Sequence, residues 1–122
     1  MDRHVLLIED EPNIAEAIRF LLTRAGFGVR WLENGLGALT DMRENRTDLV
    51  ILDLMLPGQS GLDILQQLRA DAALCDLPVI MLTAKGQARD RDAAERAGAS
   101  LFMAKPFSNT EFLAAVQRLA GP

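Results

Sequence analysis

Glu9-Asp10-Glu11, Asp53, Thr83 and Lys105 are the residues of this chain best suited to phosphate or hard-metal chemistry, and each follows an apolar run. Val5-Leu6-Leu7-Ile8 leads to Glu9, Leu49-Val50-Ile51-Leu52 to Asp53, and Val79-Ile80-Met81-Leu82 to Thr83-Ala84. A shorter run, Leu101 to Ala104, delivers Lys105-Pro106. If these runs are neighbouring strands of a parallel sheet, carboxylates, a hydroxyl and an ammonium meet at one edge. Ligands of open α/β sheets bind there, at the carboxyl ends of the strands. Glu9, Asp10 and Asp53 held close together repel one another unless protonated or neutralised. A hard divalent cation relieves that repulsion, and an all-oxygen set suits Mg2+. Asp53 can then act as a nucleophile toward phosphorus, as carboxylates that form aspartyl phosphates do. Phosphoryl transfer needs neutralised charge more than it needs an acid or base, and Lys105 and Thr83 would each meet a phosphoryl oxygen. Plainer readings exist for each residue taken alone. Acids are favoured near helix N-termini, and Glu11 reads that way; Thr83 could cap the helix after it, and Lys105 could be a surface lysine. The coincidence of four strand ends favours the chemical reading.

Short apolar runs alternate with helical patterns, which predicts βα units around a parallel sheet. Strand one, near Val5–Ile8, leads to a helix from about Pro12 to Arg24, with proline in the first turn and Gly26 as the stop. Strand two lies near Val29–Leu32, and Asn34-Gly35 turns into a helix covering about Leu36 to Asn45. Strand three is Leu49–Asp53, followed by a loop of turn formers, Leu56-Pro57-Gly58-Gln59-Ser60-Gly61, and a helix to about Asp71. Pro78 opens strand four, and a charged helix spans roughly Gln87 to Ala97 with only alanines for an apolar face. Strand five is near Ser100–Met103, and Ser108-Asn109-Thr110-Glu111 opens the last helix as a capping box. Strands one, three and four are continuously apolar, as central strands covered on both faces should be. Val29-Arg30-Trp31-Leu32 is mixed and belongs nearer an edge.

The 122 residues make one domain, and 49% hydrophobic with 25% charged residues excludes a disordered chain. A net charge of −4 argues against direct nucleic-acid binding by this segment. No stretch approaches the roughly 18 apolar residues of a membrane span, and the N-terminus has no apolar leader. Cys75 stands alone, which points to a reducing, cytoplasmic compartment and to a small, partly buried side chain without a role as nucleophile.

Taken together, Leu7-Ile8-Glu9-Asp10-Glu11, Leu52-Asp53-Leu54-Met55-Leu56-Pro57-Gly58 with Gly61, Met81-Leu82-Thr83-Ala84 and Ala104-Lys105-Pro106-Phe107 resemble the receiver domain of bacterial two-component response regulators. The resemblance covers essentially the whole chain. It implies a doubly wound (βα)5, flavodoxin-like α/β sandwich with a five-stranded parallel sheet in order 2-1-3-4-5; a member of this family is a standard example of that order. It implies that Asp53 is phosphorylated by a histidine kinase or a histidine phosphotransfer protein. Asp10, Asp53 and the Met55 main-chain carbonyl would bind Mg2+, with Glu9 acting mostly through water. Thr83 would move toward the phosphate, Lys105 would pair with it, held by a cis peptide before Pro106, and Phe102 would be the switch aromatic, reshaping the face of helix four, strand five and helix five. Met55 and Lys85 occupy positions similar to those that tune dephosphorylation. Phenylalanine at 102 offers no hydroxyl to a partner. Gly98-Ala99-Ser100-Leu101-Phe102 lacks the acidic residues of the winged-helix subfamily, which weighs against that subfamily's salt-bridged homodimer through the same face.

At ~100° per residue, Ala15, Ile18, Leu22 and Ala25 form the buried stripe of the first helix, and Phe20 points away from it. The resemblance adds a docking patch of Asn13, Ile14, Ala17 and Phe107 for the phosphodonor, with Phe20 as an exposed aromatic beside it. The account is therefore a phosphoacceptor switch, not an enzyme, that controls an output domain or a downstream protein. Its rival is a pseudo-receiver acting as a phosphorylation-independent interaction module. A phosphatase with an aspartyl nucleophile wants a second acid just after it, and Leu54-Met55-Leu56 has none. A stand-alone receiver and the N-terminal part of a longer regulator remain equally open.

Overall fold

The computed structural model describes residues 3–84 and 88–121. In chain order its elements are β1 (Arg3–Ile8), α1 (Pro12–Arg24), β2 (Phe27–Leu32), α2 (Ala38–Glu44), β3 (Leu49–Asp53), β4 (Met55–Leu56), β5 (Gln59–Ser60), α3 (Gly61–Ala70), β6 (Val79–Thr83), α4 (Ala88–Ala97), β7 (Leu101–Ala104) and α5 (Asn109–Ala120). The main sheet runs β2-β1-β3-β6-β7, with every pair parallel. Set aside the small antiparallel ladder of β4 and β5, and this is the expected order 2-1-3-4-5.

Residues alternate between the two faces of the sheet, and the core splits accordingly. Leu6, Ile8, Val50, Leu52, Val79 and Met81 pack with Met42 of α2, Ile64, Leu65 and Leu68 of α3, and Ala94 of α4. Val5, Leu7, Leu49, Ile51, Ile80 and Leu82 pack on the opposite side with Ala15, Ile18 and Leu22 of α1 and Phe112 and Val116 of α5. The central strands β1, β3 and β6 are thus covered on both faces, and burial of each large apolar side chain contributes about 1.5–3 kcal/mol. The mixed strand β2 lies at the edge.

Several boundaries differ from the sequence expectation for local reasons. β1 and β2 begin two residues early, because Arg3 and His4 pair with Phe27 and Gly28, and Asp48 bonds the His4 amide at 2.8 Å. α2 starts late, at Ala38, because Gly37 takes a left-handed conformation (φ 74°) at its N-cap. β7 is shifted one residue toward Lys105: Ser100 stays outside it, its hydroxyl accepting the Val79 N–H at 3.1 Å. The loop after Asp53 contains the β4–β5 ladder, which pairs Met55 with Ser60 and Leu56 with Gln59. The expected start of the fourth helix at Gln87 lies outside the described residues. From Ala88 onward α4 buries Ala94. α5 is capped by Ser108, whose hydroxyl accepts the Glu111 N–H at 3.2 Å. Cys75 is half-buried in the stretch between α3 and β6.

Candidate functional site

The parallel register brings the strand ends to one edge. Ile8 faces Leu52, Asp53 faces Leu82, and Thr83 faces Ala104, so Glu9, Asp53, Thr83 and Lys105 emerge from four adjacent strands. Carboxylate oxygens of Glu9, Asp10 and Asp53 all lie within 4.8 Å of one another. Glu9 is fully buried and Asp53 nearly so, whereas Asp10 opens to solvent. Lys105 Nζ donates to Glu9 Oε1 at 2.7 Å and to Asp53 Oδ2 at 3.2 Å. The other oxygen of Glu9 accepts the Glu11 N–H at 3.0 Å. Burial by itself pulls the Lys105 ammonium down. The hydrogen bond to Glu9 and the charge of Asp53 outweigh that, so its pKa is raised above the usual lysine range.

Thr83 is buried at the end of β6, and its main-chain carbonyl accepts the Lys105 N–H at 2.7 Å. The Lys105–Pro106 peptide is cis. Met55 directs its N–H toward Asp53 Oδ1 at 3.4 Å and leaves its side chain in solvent. Phe102 is buried in the core on β7, with the Arg91 guanidinium of α4 5.5 Å from its ring centroid. Glu11 caps α1, its side chain accepting the Asn13 N–H at 3.3 Å. Lys85 lies outside the described residues.

Asn13, Ile14, Ala17 and Phe107 line one groove of about 510 Å³ that reaches Lys105. Phe20 does not join them. It is 64% exposed, beside Glu16, Arg19 and Thr23, with Arg24 5.4 Å above its ring. Ile18 and Leu21 line the same groove, so Phe20 is separated from it by the side of α1 that it occupies and not by its distance along the axis.

Two supporting roles escaped the sequence reading, which had Gly61 only as part of a turn-rich loop and of the resemblance, and Trp31 only as part of a mixed strand. A Cβ on Gly61 would sit 2.2 Å from the Asp53 carbonyl oxygen, so only glycine lets α3 start this close to the end of β3. Trp31 donates its indole N–H to the Glu9 carbonyl at 2.8 Å. Its signal was its place, one residue from the end of an otherwise ordinary edge strand.

Three clustered carboxylates, outnumbering the one ammonium that touches them and including one open to solvent, fit a hard divalent cation with part of its water shell. A parallel α/β sandwich carrying such a pocket beside a buried aspartate, with a lysine and a threonine on the neighbouring strand ends, is the architecture of a phosphoacceptor receiver. The family model for the response regulator receiver domain matches residues 5–117, and the chain belongs to that family. It is a phosphoacceptor switch, not a classical enzyme, and its acidic cluster matches the magnesium site of receivers.

Among curated proteins, the chain is 40% identical over 117 residues to the DNA-binding response regulator MtrA of Mycolicibacterium smegmatis, covering 96% of this chain and 50% of that protein. It is 39% identical to the phosphate regulon transcriptional regulatory protein PhoB of Klebsiella pneumoniae, covering 96% and 51%. The chain thus spans about half the length of the curated relatives it matches. Among solved structures, a candidate response regulator of Chloroflexus aurantiacus J-10-fl superposes with TM-score 0.93 at 32% identity over 98% of both chains. The receiver domain of sensor histidine kinase PA1611 from Pseudomonas aeruginosa PAO1, with magnesium in its active-site cleft, superposes with TM-score 0.90 at 30% identity over 100% of both. Among the described residues, no helix is long and apolar enough to cross a membrane.

Proposed function

We propose that Asp53 accepts a phosphoryl group from a histidine kinase or histidine phosphotransfer protein, and that the modification switches the surface formed by α4, β7 and α5. One observation carries this reading. The Asp53 carboxylate is nearly buried, yet it lies within hydrogen-bond distance of Lys105 and in one cluster with two further carboxylates. In the transfer an Asp53 oxygen attacks phosphorus, the donor's P–N bond breaks, and the histidine leaves with the bonding pair. Asp10, Asp53 and the Met55 main-chain carbonyl would hold magnesium, with Glu9 acting through water. Bound there, the ion would neutralise charge on the phosphoryl oxygens.

Lys105 already touches Asp53 and follows the negative charge onto the phosphate. Thr83, buried on the adjacent strand end, offers its hydroxyl to another phosphoryl oxygen. Its movement opens space toward Phe102, which lies one strand away under Arg91, and the equilibrium between two conformations shifts. The readout controls an output domain or a downstream protein in a cytoplasmic setting, where the lone Cys75 thiol stays reduced. The groove of Asn13, Ile14, Ala17 and Phe107 receives the phosphodonor.

Incubation with acetyl phosphate and Mg2+ tests the reading. One phosphoryl group per chain is expected, lost on chelation of the metal and lost in Asp53→Asn. Undiminished labelling of Asp53→Asn would contradict the assignment. No labelling of the wild type would leave the chain an interaction module that works without phosphorylation.

A further inference from the structure

We infer that Trp31 is a positioning residue for the metal carboxylates, acting through the peptide that joins Glu9 to Asp10; this rests on the reading of those acids as a magnesium site. The Glu9 carbonyl belongs to that shared peptide, and it accepts the Trp31 indole N–H at 2.8 Å. On its other side Glu9 donates its own N–H to Leu32 at 3.1 Å. Edge strand β2 therefore grips the Glu9 main chain at both polar atoms, from consecutive residues.

The carboxylate of Glu9 is equally committed, one oxygen to Lys105 and the other to the Glu11 N–H. Asp10, by contrast, is exposed. Its direction is set by the orientation of the peptide plane that precedes it. Rotation of that plane about its flanking single bonds would swing the Asp10 carboxylate out of the cluster of acidic oxygens. The indole bond opposes the rotation, and the partly buried ring is in turn fixed by packing against the core face of α1 and α5. Arg19 of α1 lies over it, 5.8 Å from the ring centroid. A donor aimed at the main chain beside a ligand is the kind of outer contact that tunes metal affinity without touching the ion.

Trp31 is the sole tryptophan, so its indole signal is unambiguous. Titration of the full chain with MgCl2, followed by calorimetry and by the indole N–H resonance, provides the test. In the wild type the resonance should shift in step with the binding heat. Trp31→Phe should weaken Mg2+ binding by about tenfold. The same loss is expected when residue 31 carries the benzothiophene analogue of tryptophan, which keeps the bicyclic shape and lacks the N–H. Affinity equal to wild type in that analogue, or an indole resonance unmoved at saturating Mg2+, would overturn the inference. A wild type that takes up no Mg2+ would instead remove the magnesium reading on which it stands.

Discussion

Lys105 is held between a fully buried Glu9 and a nearly buried Asp53, and this placement makes it a structural cation as well as a site residue. Removing one member of a buried ion pair leaves the other uncompensated, at a cost of about 3–5 kcal/mol. Lys105→Met should therefore lose stability of that order when unfolded by urea in EDTA, and Mg2+ should restore more of it than it adds to the wild type. An unchanged urea midpoint would contradict the pairing. The pH dependence has a definite sign. Because the ammonium is raised above its ordinary value of 10.5, its stabilisation is fully present below that value and is lost as pH rises through the higher folded one. Melting temperature measured from neutral to strongly alkaline pH should fall more steeply for wild type than for Lys105→Met. The acids and the lysine could be read from sequence because each terminates an apolar run. That Lys105 chooses Glu9 could not, since the two are 96 residues apart and the choice depends on depth at the strand ends.

Elements deliver these residues, and two contacts decide how well. α3 begins against the end of β3, where a Cβ on Gly61 would meet the backbone of Asp53 and Leu54, which cannot move aside cheaply. Gly61→Ala should cost about 1–3 kcal/mol through overpacking and slow phosphorylation by displacing Asp53; unaltered stability and labelling rate would show that the helix can retreat. Farther along α3, Arg69 donates to the carbonyls of Gly98 at 2.9 Å, Cys75 at 3.0 Å and Leu77 at 2.6 Å. It ties the end of α4 to the segment entering β6, a useful role because α4 buries so little of its own surface. Arg69→Ala should lower stability by about 2 kcal/mol and speed amide exchange in the last turn of α4, and exchange rates equal to wild type would speak against this tie. The unbroken apolar runs of β1, β3 and β6, alternating with helical patterns, made the sheet legible. The β4–β5 ladder was not, because two-residue strands show no periodicity, and neither was Arg69, whose partners belong to separate loops.

For the molecule as a whole, the proposed input groove and the proposed output face both border the phosphoacceptor edge, with α5 common to the two. The groove from α1 to Phe107 reaches Lys105, while α4, β7 and α5 carry Phe102 and Arg91 beyond Thr83. Ile14→Ala should slow transfer from a cognate histidine donor several-fold and leave labelling by acetyl phosphate untouched; equal slowing with both donors would remove the docking role of the groove. Helical periodicity exposed Phe20 correctly but could not say that it sits apart from this groove, since that depends on where the loop after Lys105 crosses α1. The central claim is that the chemistry converges on one carboxylate, and reductive trapping examines it most directly. After phosphorylation with acetyl phosphate and Mg2+, borohydride treatment and peptide mass analysis should find homoserine at position 53. Homoserine at position 10, 5-hydroxynorvaline (the alcohol that a reduced glutamyl phosphate gives) at position 9, or no reduced residue in a chain that carries phosphate, would contradict the account.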